Sequence, residues 1–404
     1  MKKFITLIFV LGILSLSISQ HTVLTCATEN GEIEDEEKIE SEDKLGISSK
    51  SAVLMEIDSG TILYEKNPDE QLRPASVTKV MTLLLIFEEI DKGNIALDDV
   101  VTITEHAASM GGSQCFFESG EQQKVEDLIK CIVIASGNDA AVAMAEYISG
   151  SEDLFVDKMN ERAKELGMNN TCFKNACGLE EEGHYTCARD IAIMSRELML
   201  NYPEIEKYTT TWMDYIIHKT NRGETRFDLA NTNKFLKQYN GATGLKTGFT
   251  SQAKYCISAT ARRDDMEMVA VIMGADTKEI RNSEAAKLLD YGFSLCEIYE
   301  DNQVLTDELT FTVEGGTKNI TVYNSAKKKV IPIINGSVDK VEKKIVPYNN
   351  LKAPIYEGDI IGVVQYSIDG KVIDEEFIYS GENIEKLTYK YCVKDFALRI
   401  FMVN

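Results

Sequence analysis

Histidine is scarce: the 404 residues include only His21, His106, His184 and His218, with no H-x-x-x-H spacing to put two imidazoles on one helical face. No metal site is expected. Six prolines and 26 glycines exclude a collagen-like or proline-rich chain. Basic residues are few beside acidic ones, 43 against 65, for a formal charge of −22. Binding phosphate backbones needs clustered positive charge, so no nucleic-acid partner is expected. The N-terminal apolar run over 4–18 is shorter than the roughly 20 residues that span a bilayer. Nine cysteines make an odd set, and neither C-x-x-C pairs nor partnering histidines point to zinc. If Cys26 leaves with a leader, eight remain and pairing stays open, but buried free thiols are the expected state.

What is present suits a soluble globular protein of two or three domains, with 44% hydrophobic and 27% charged residues. Lys2 and Lys3 before the run over 4–18 read as a secretory leader over 1–27, ending at Thr25-Cys26-Ala27 or at the earlier Ser17-Ile18-Ser19, with an uncleaved anchor as the alternative. The body is therefore expected outside the cytoplasm, on the outer membrane face or in the wall space. Residues 29–44 carry nine acids and two bases, so 28–46 read as a solvated linker.

Beyond it, 51–65 reads as a hairpin turning at Asp58-Ser59-Gly60. Residues 76–90 have the content of a buried helix entered through Pro74. Helices are expected over 124–134 and 139–149, flanking a break at Ser136-Gly137-Asn138. Another is expected over 152–166, capped by Ser151 and stopped by Gly167. Strands over 245–261 and 266–274, then a helix over 277–298, complete an α+β domain with a mainly antiparallel sheet over 47–298. Alternating apolar residues over 299–383, with turns at Gly315-Gly316 and Asp369-Gly370, read as a small β-rich domain. Over 384–404, Ile384, Leu387, Tyr391, Phe396, Ile400 and Phe401 share a helical face beside Lys386, Lys390, Lys394 and Arg399. That pattern suits an amphipathic helix on an anionic membrane surface, or a terminal helix packed on the β domain.

Three short motifs carry the chemistry. Ser76-Val77-Thr78-Lys79 is S-x-x-K at a helix start, where positions i and i+3 share a face and Lys79 can reach the Ser76 hydroxyl. Serine is a poor nucleophile until a base takes its proton, and lysine is such a base only with a depressed pKa. Ser136-Gly137-Asn138 is S-x-N in an interhelical break, offering a proton relay and a carboxamide for a substrate amide. Lys246-Thr247-Gly248 opens a strand with a cation and a hydroxyl for a carboxylate, and Gly248 permits close approach to the strand edge. Each alone also suits an ordinary helix, turn or strand; together, in this order, they are specific.

On these motifs the sequence resembles the penicillin-recognising serine enzymes. The stretches 73–79, Gly112-Ser113-Gln114, Gly178-Leu179 with Gly183-His184-x-Thr186, and 243–250 resemble the D-alanyl-D-alanine carboxypeptidases, the low-molecular-mass penicillin-binding proteins. Lys352-Ala353-Pro354-Ile355, Gly358-Asp359 and Gly362 are similar to that family's C-terminal β domain, and members often end in an amphipathic anchor. The resemblance implies a β-lactamase/transpeptidase-like catalytic domain and cleavage of peptidoglycan stem peptides ending in D-Ala-D-Ala. It implies acylation by β-lactam antibiotics and no cofactor. It makes Ser76 the nucleophile, Lys79 the base and Ser136 the relay. Asn138, Lys246, Thr247, Gly248 and Phe249 would be substrate-binding, with the backbone N–H groups of Ser76 and Phe249 as oxyanion hole. Thr243, Lys254 and Cys115 depart from the usual Asp, Gly and larger apolar residue.

Rival functions stay open on sequence. A serine β-lactamase would need a deacylating glutamate, and Glu197-Leu198-Met199-Leu200-Asn201 matches E-x-x-L-N. It lies 61 residues after Ser136 in a helix-like run, so Glu197 reads as a helix-surface residue. A transpeptidase shares the chemistry up to the acyl-enzyme. A non-catalytic wall-binding sensor is disfavoured by the intact Ser-Lys-Ser set.

Overall fold

Residues 44–400 are described by a computed structural model, apart from 221–222, 265, 303–304, 306–308, 323–327, 335–337 and 349. The expected leader over 1–27, all but the last residues of the expected linker, and Phe401 lie outside the described residues.

The strands Ser51–Glu56 and Ile62–Lys66 pair antiparallel, the hairpin expected from their spacing. The first then pairs with Met266–Ala275, giving a five-stranded antiparallel sheet that continues through Lys254–Arg263 to Ala242–Thr250 at the far edge. Side chains alternate between two cores. Val53, Met55, Val269, Val271 and Met273 face the helical cluster, whereas Ala52, Leu54, Met268, Ala270 and Ile272 face the helix Lys278–Leu295. The central strand Met266–Ala275 is buried at every residue, which explains its nearly unbroken apolar run.

The 245–261 stretch, expected as one strand, is two: Ala242–Thr250 and Lys254–Arg263 turn at 251–253. No Gly, Pro, Asn or Asp marks that turn. The left-handed backbone falls instead on Lys254, at φ +59°, the position where glycine is usual in the resembling family. The closing helix ends at Leu295 rather than 298, because Cys296–Asp301 is drawn into antiparallel pairing with Lys329–Ile334. Its start is fixed by Thr277, whose hydroxyl accepts the Ile280 N–H at 3.1 Å, a cap worth about 1 kcal/mol.

The helix Lys79–Asp91 follows the 3₁₀ turn Ala75–Thr78 and is buried from Lys79 through Glu88, as its lack of a polar face requires. The break at 136–138 lies between Val125–Lys130, extended by a π-turn over Cys131–Ala135, and Asn138–Ser149. Glu152–Glu165 starts and stops as expected, with the Ser151 hydroxyl accepting the Leu154 N–H and Gly167 at φ +76°. The hairpin Met213–Thr220/Gly223–Ala230 has no counterpart in the sequence reading. Its His218 Nδ1 lies 2.8 Å from the buried Glu121 carboxylate.

A separate apolar cluster forms over 311–384 from Phe311, Ile320, Ile331, Val364, Tyr366 and Ile378, among others. Its three-stranded sheet joins Val341–Pro347, Ile360–Ile368 and Lys371–Tyr379, the last two turning at Asp369-Gly370, both at positive φ. Ile384 belongs to this cluster and pairs with Ile355. The terminal helix therefore spans Tyr389–Ile400, not 384 onward. Tyr389, Val393, Phe396 and Ile400 lie along one exposed helical stripe. No helix among the described residues is long and apolar enough to cross a membrane.

Candidate active site

Pro74 leads into the 3₁₀ turn that carries Ser76, and Lys79 begins the α-helix behind it. The Lys79 ammonium is wholly buried. Its Nζ donates to Ser76 Oγ at 3.1 Å, Asn138 Oδ1 at 2.6 Å and the Cys177 carbonyl at 2.7 Å. Burial pushes its pKa down to about 8, against the smaller upward pull of Cys177, Asp139 and Cys115. A neutral amine keeps two hydrogens and one lone pair. Asn138 and Cys177 can hold the two hydrogens, which leaves the lone pair aimed at the Ser76 hydroxyl.

The turn is backed by Gly178, at φ +83°. A Cβ there would stand 1.9 Å from the Ala75 carbonyl oxygen and 2.9 Å from Thr78 Oγ1. Beside it, the Lys174 N–H donates to His184 Nδ1 at 3.2 Å, so the ring proton sits on Nε2, 2.9 Å from Thr78 Oγ1.

Ser136 adopts the left-handed conformation, φ +61°, closed by the Gly137 N–H bond to the Cys131 carbonyl. Such backbone in a non-glycine residue is typical of functional sites. Asn138 is anchored through its own N–H to the Ser113 carbonyl at 2.7 Å and through Nδ2 to the Gly111 carbonyl at 2.6 Å. Cys115 packs behind this turn. A Cβ on Gly137 would stand 3.1 Å from its Sγ and 2.9 Å from Asp139 Oδ1, so this position is tight for any side chain.

The edge strand Ala242–Thr250 brings in the third motif. Lys246 is buried and donates to Ser136 Oγ at 2.9 Å and the Thr247 carbonyl at 3.0 Å. Burial, then the Lys79 and Arg281 cations, lower its pKa well below the usual lysine value. Gly248 lies against the turn that carries Ser76: a Cβ would approach Pro74 O to 2.8 Å and Ser76 N to 3.0 Å. Phe249 is exposed and rests on Tyr255, ring centroids 4.3 Å apart.

The fold thus gathers all eight expected residues. Ser76, Ser136, Thr247, Gly248 and Phe249 line a cleft of about 350 Å³, with Lys79, Asn138 and Lys246 behind it. Sequence reasoning missed Arg281, which lines the same cleft from the helix Lys278–Leu295. Its guanidinium is buried, with no carboxylate in ion-pair distance among the described residues. Its Nε donates to Asn282 Oδ1 at 2.9 Å. No motif announces it. Glu197 is tied down elsewhere, accepting from Arg162 Nη2 at 2.7 Å. The eight described cysteines are free thiols, five of them buried, and no described cluster of His, Cys, Asp or Glu could hold a metal.

Residues 36–277 match the family described as D-alanyl-D-alanine carboxypeptidase, and 293–386 match the C-terminal domain of penicillin-binding protein 5. The chain belongs to the D-alanyl-D-alanine carboxypeptidase family. It is 46% identical over 346 residues to the carboxypeptidase DacF of Bacillus subtilis, covering 85% of this chain and 87% of that one. It is 32% identical over 364 residues to DacC of Escherichia coli, covering 88% and 89%. Penicillin-binding protein 5 of Haemophilus influenzae superposes with a TM-score of 0.67 at 32% identity, over 84% of this chain and 98% of that structure. Family membership accounts for the order of the three motifs and for the β-rich unit after the carboxypeptidase domain.

The turn that carries Ser76 in this carboxypeptidase depends on a neutral His184. Burial, helped by the Arg73 and Lys174 cations, lowers its pKa from 6.5 to about 4. The unfolded chain binds this proton below about 6.5 and the folded chain only below about 4. Stability is therefore lost as pH falls through that window, by about 3 kcal/mol in all. Urea midpoints measured from pH 7 to pH 4 are expected to fall more steeply than those of a His184→Gln protein. Parallel curves would contradict the assignment.

Proposed function

We propose that this enzyme removes the terminal D-alanine from peptidoglycan stem peptides through an acyl-enzyme on Ser76, and that β-lactams acylate the same hydroxyl. The observation that carries this is the Lys79 amine, lowered toward neutrality and held 3.1 Å from Ser76 Oγ. Neutral Lys79 takes the Ser76 proton as Oγ bonds to the carbonyl carbon of the penultimate D-Ala. Developing charge on the carbonyl oxygen falls to the N–H groups of Ser76 and Phe249, which the absent side chain of Gly248 allows to lie close together. The tetrahedral intermediate collapses with cleavage of the peptide C–N bond. The leaving nitrogen takes a proton from Ser136, which is resupplied from the Lys79 side. Water then cleaves the ester, releasing the shortened stem and restoring Ser76.

The geometry supports two refinements of the roles expected from sequence. Asn138 Oδ1 accepts from Lys79 and one Nδ2 hydrogen goes to the Gly111 carbonyl, so Asn138 also positions the base and keeps one N–H for a substrate carbonyl. Lys246 is turned to Ser136, where it orients the relay hydroxyl. The substrate's terminal carboxylate then falls to Thr247 and the buried Arg281, a stronger bidentate partner than lysine.

Action outside the cytoplasm after removal of residues 1–27, and attachment of Tyr389–Ile400 to the membrane surface through its exposed apolar stripe, complete this reading. So does the division into a catalytic unit over 47–298 and a β-rich unit over 299–383. The test is release of free D-alanine from diacetyl-L-Lys-D-Ala-D-Ala, beside penicillin turnover and transfer to an added amine. Rapid D-alanine release with a long-lived penicillin ester is expected. Fast penicillin turnover would favour a β-lactamase, and preferential transfer to the amine a transpeptidase.

A further inference from the structure

The cleft is cationic in an acidic protein. Its lining includes Lys234, Lys278 and Arg281 against one acid, Glu279, although the whole chain carries −22. On the proposed carboxypeptidase reading, Arg281 is committed to the C-terminal carboxylate. Its orientation is built in. Asn282 accepts from it through Oδ1 and donates through Nδ2 to Gln238 Oε1 at 2.5 Å, joining the helix Lys278–Leu295 to the short helix Lys234–Lys237. Those two elements carry the remaining cations at the exposed margin of the cleft. Lys234 has no carboxylate in ion-pair distance among the described residues. Lys278 meets only Glu279, at 3.6 Å, with both side chains mostly in solvent. Such an exposed contact contributes little, so it leaves the Lys278 charge available.

We infer that Lys234 and Lys278 form a second anion subsite, which takes a carboxylate of the stem peptide lying before D-Ala-D-Ala. A stem carries such a group wherever an acidic residue or an acidic side chain is left unamidated. The protein's overall charge repels that substrate at long range. Two cations at the mouth, beside the positive N-terminal end of a helix, reverse the local field where the stem enters. The lysines touch no reacting atom, so they act on specificity through binding.

The test uses matched substrates: Ac-Lys(succinyl)-D-Ala-D-Ala, with a free side-chain carboxylate, neutral Ac-Lys(acetyl)-D-Ala-D-Ala, and Ac-Lys-D-Ala-D-Ala with a free amine. In low salt, kcat/KM is expected to favour the succinyl over the acetyl substrate by roughly threefold to tenfold, through KM, from two exposed charge contacts. The ratio should fall toward one at about 1 M salt, where the screening length is about 3 Å. It should fall to about one in the Lys234→Gln/Lys278→Gln double variant. A wild-type ratio of one or less, an undiminished ratio in the double variant, or preference for the free amine (which would assign the margin to Glu279) overturns the inference alone. Release of D-alanine from none of the three overturns the carboxypeptidase reading together with it.

Discussion

Lys79→Ala is expected to slow acylation by penicillin by about a thousandfold or more, within the range for loss of a positioned general base. On the proposed mechanism the wild-type reaction needs the neutral amine. With a pKa of about 8, its rate is expected to rise about tenfold from pH 7 to pH 9 and then level off. The rise should vanish in Lys79→Ala, and Lys79→Arg should not restore the rate, because a guanidinium keeps its proton. Stopped-flow acylation with a chromogenic β-lactam across pH 6–10 measures both. The alanine variant leaves Asn138 Oδ1 and the Cys177 carbonyl without their donor while removing a buried charge. Its melting temperature separates a folding defect from a chemical one. A folded Lys79→Ala protein that kept most of its rate, or retained the same alkaline rise, would remove Lys79 from the base role.

Gly178→Ala should have the largest structural effect. The new methyl would sit 1.9 Å from the Ala75 carbonyl oxygen, in backbone that cannot retreat without displacing Ser76, and at φ +83°. Overpacking against fixed backbone together with a left-handed alanine is expected to cost more than about 3 kcal/mol. Any folded fraction should acylate slowly because its nucleophile is displaced. Gly183→Ala provides the comparison: at φ +80° its Cβ would meet only the flexible Lys174 side chain, at 3.1 Å. Its cost should be about 1 kcal/mol, the conformational part alone. Urea unfolding of the two proteins checks the difference. Equal, small losses would mean that the turn behind Ser76 is not held by this contact.

The candidate catalytic set was legible in the sequence because its motifs are local. Ser76 and Lys79 share a helical turn, Ser136 and Asn138 flank Gly137 where one helix gives way to the next, and Lys246 to Gly248 share one strand, so each motif is contiguous in the chain. What was not legible depends on tertiary contacts. Arg281 looks like one more charge on a helix until folding buries it in the wall of the cleft that Thr247 also lines. The carbonyl of Cys177 leaves no side-chain signal at all. The partners of Asn138 and Lys246 are not legible either, because a sequence shows which groups are available but not which neighbours they meet. The same holds for the fold. The turn at 251–253 carries no turn residue in the sequence because its left-handed position is Lys254, and Ile384 reads as helix only while its pairing with Ile355 is unknown.

One measurement bears most directly on the catalytic account: peptide mapping of the protein after brief exposure to labelled benzylpenicillin. A single adduct on Ser76 is predicted, with neither adduct nor D-alanine release in Ser76→Ala. A covalent adduct on any other residue, or D-alanine release persisting in folded Ser76→Ala, would contradict it.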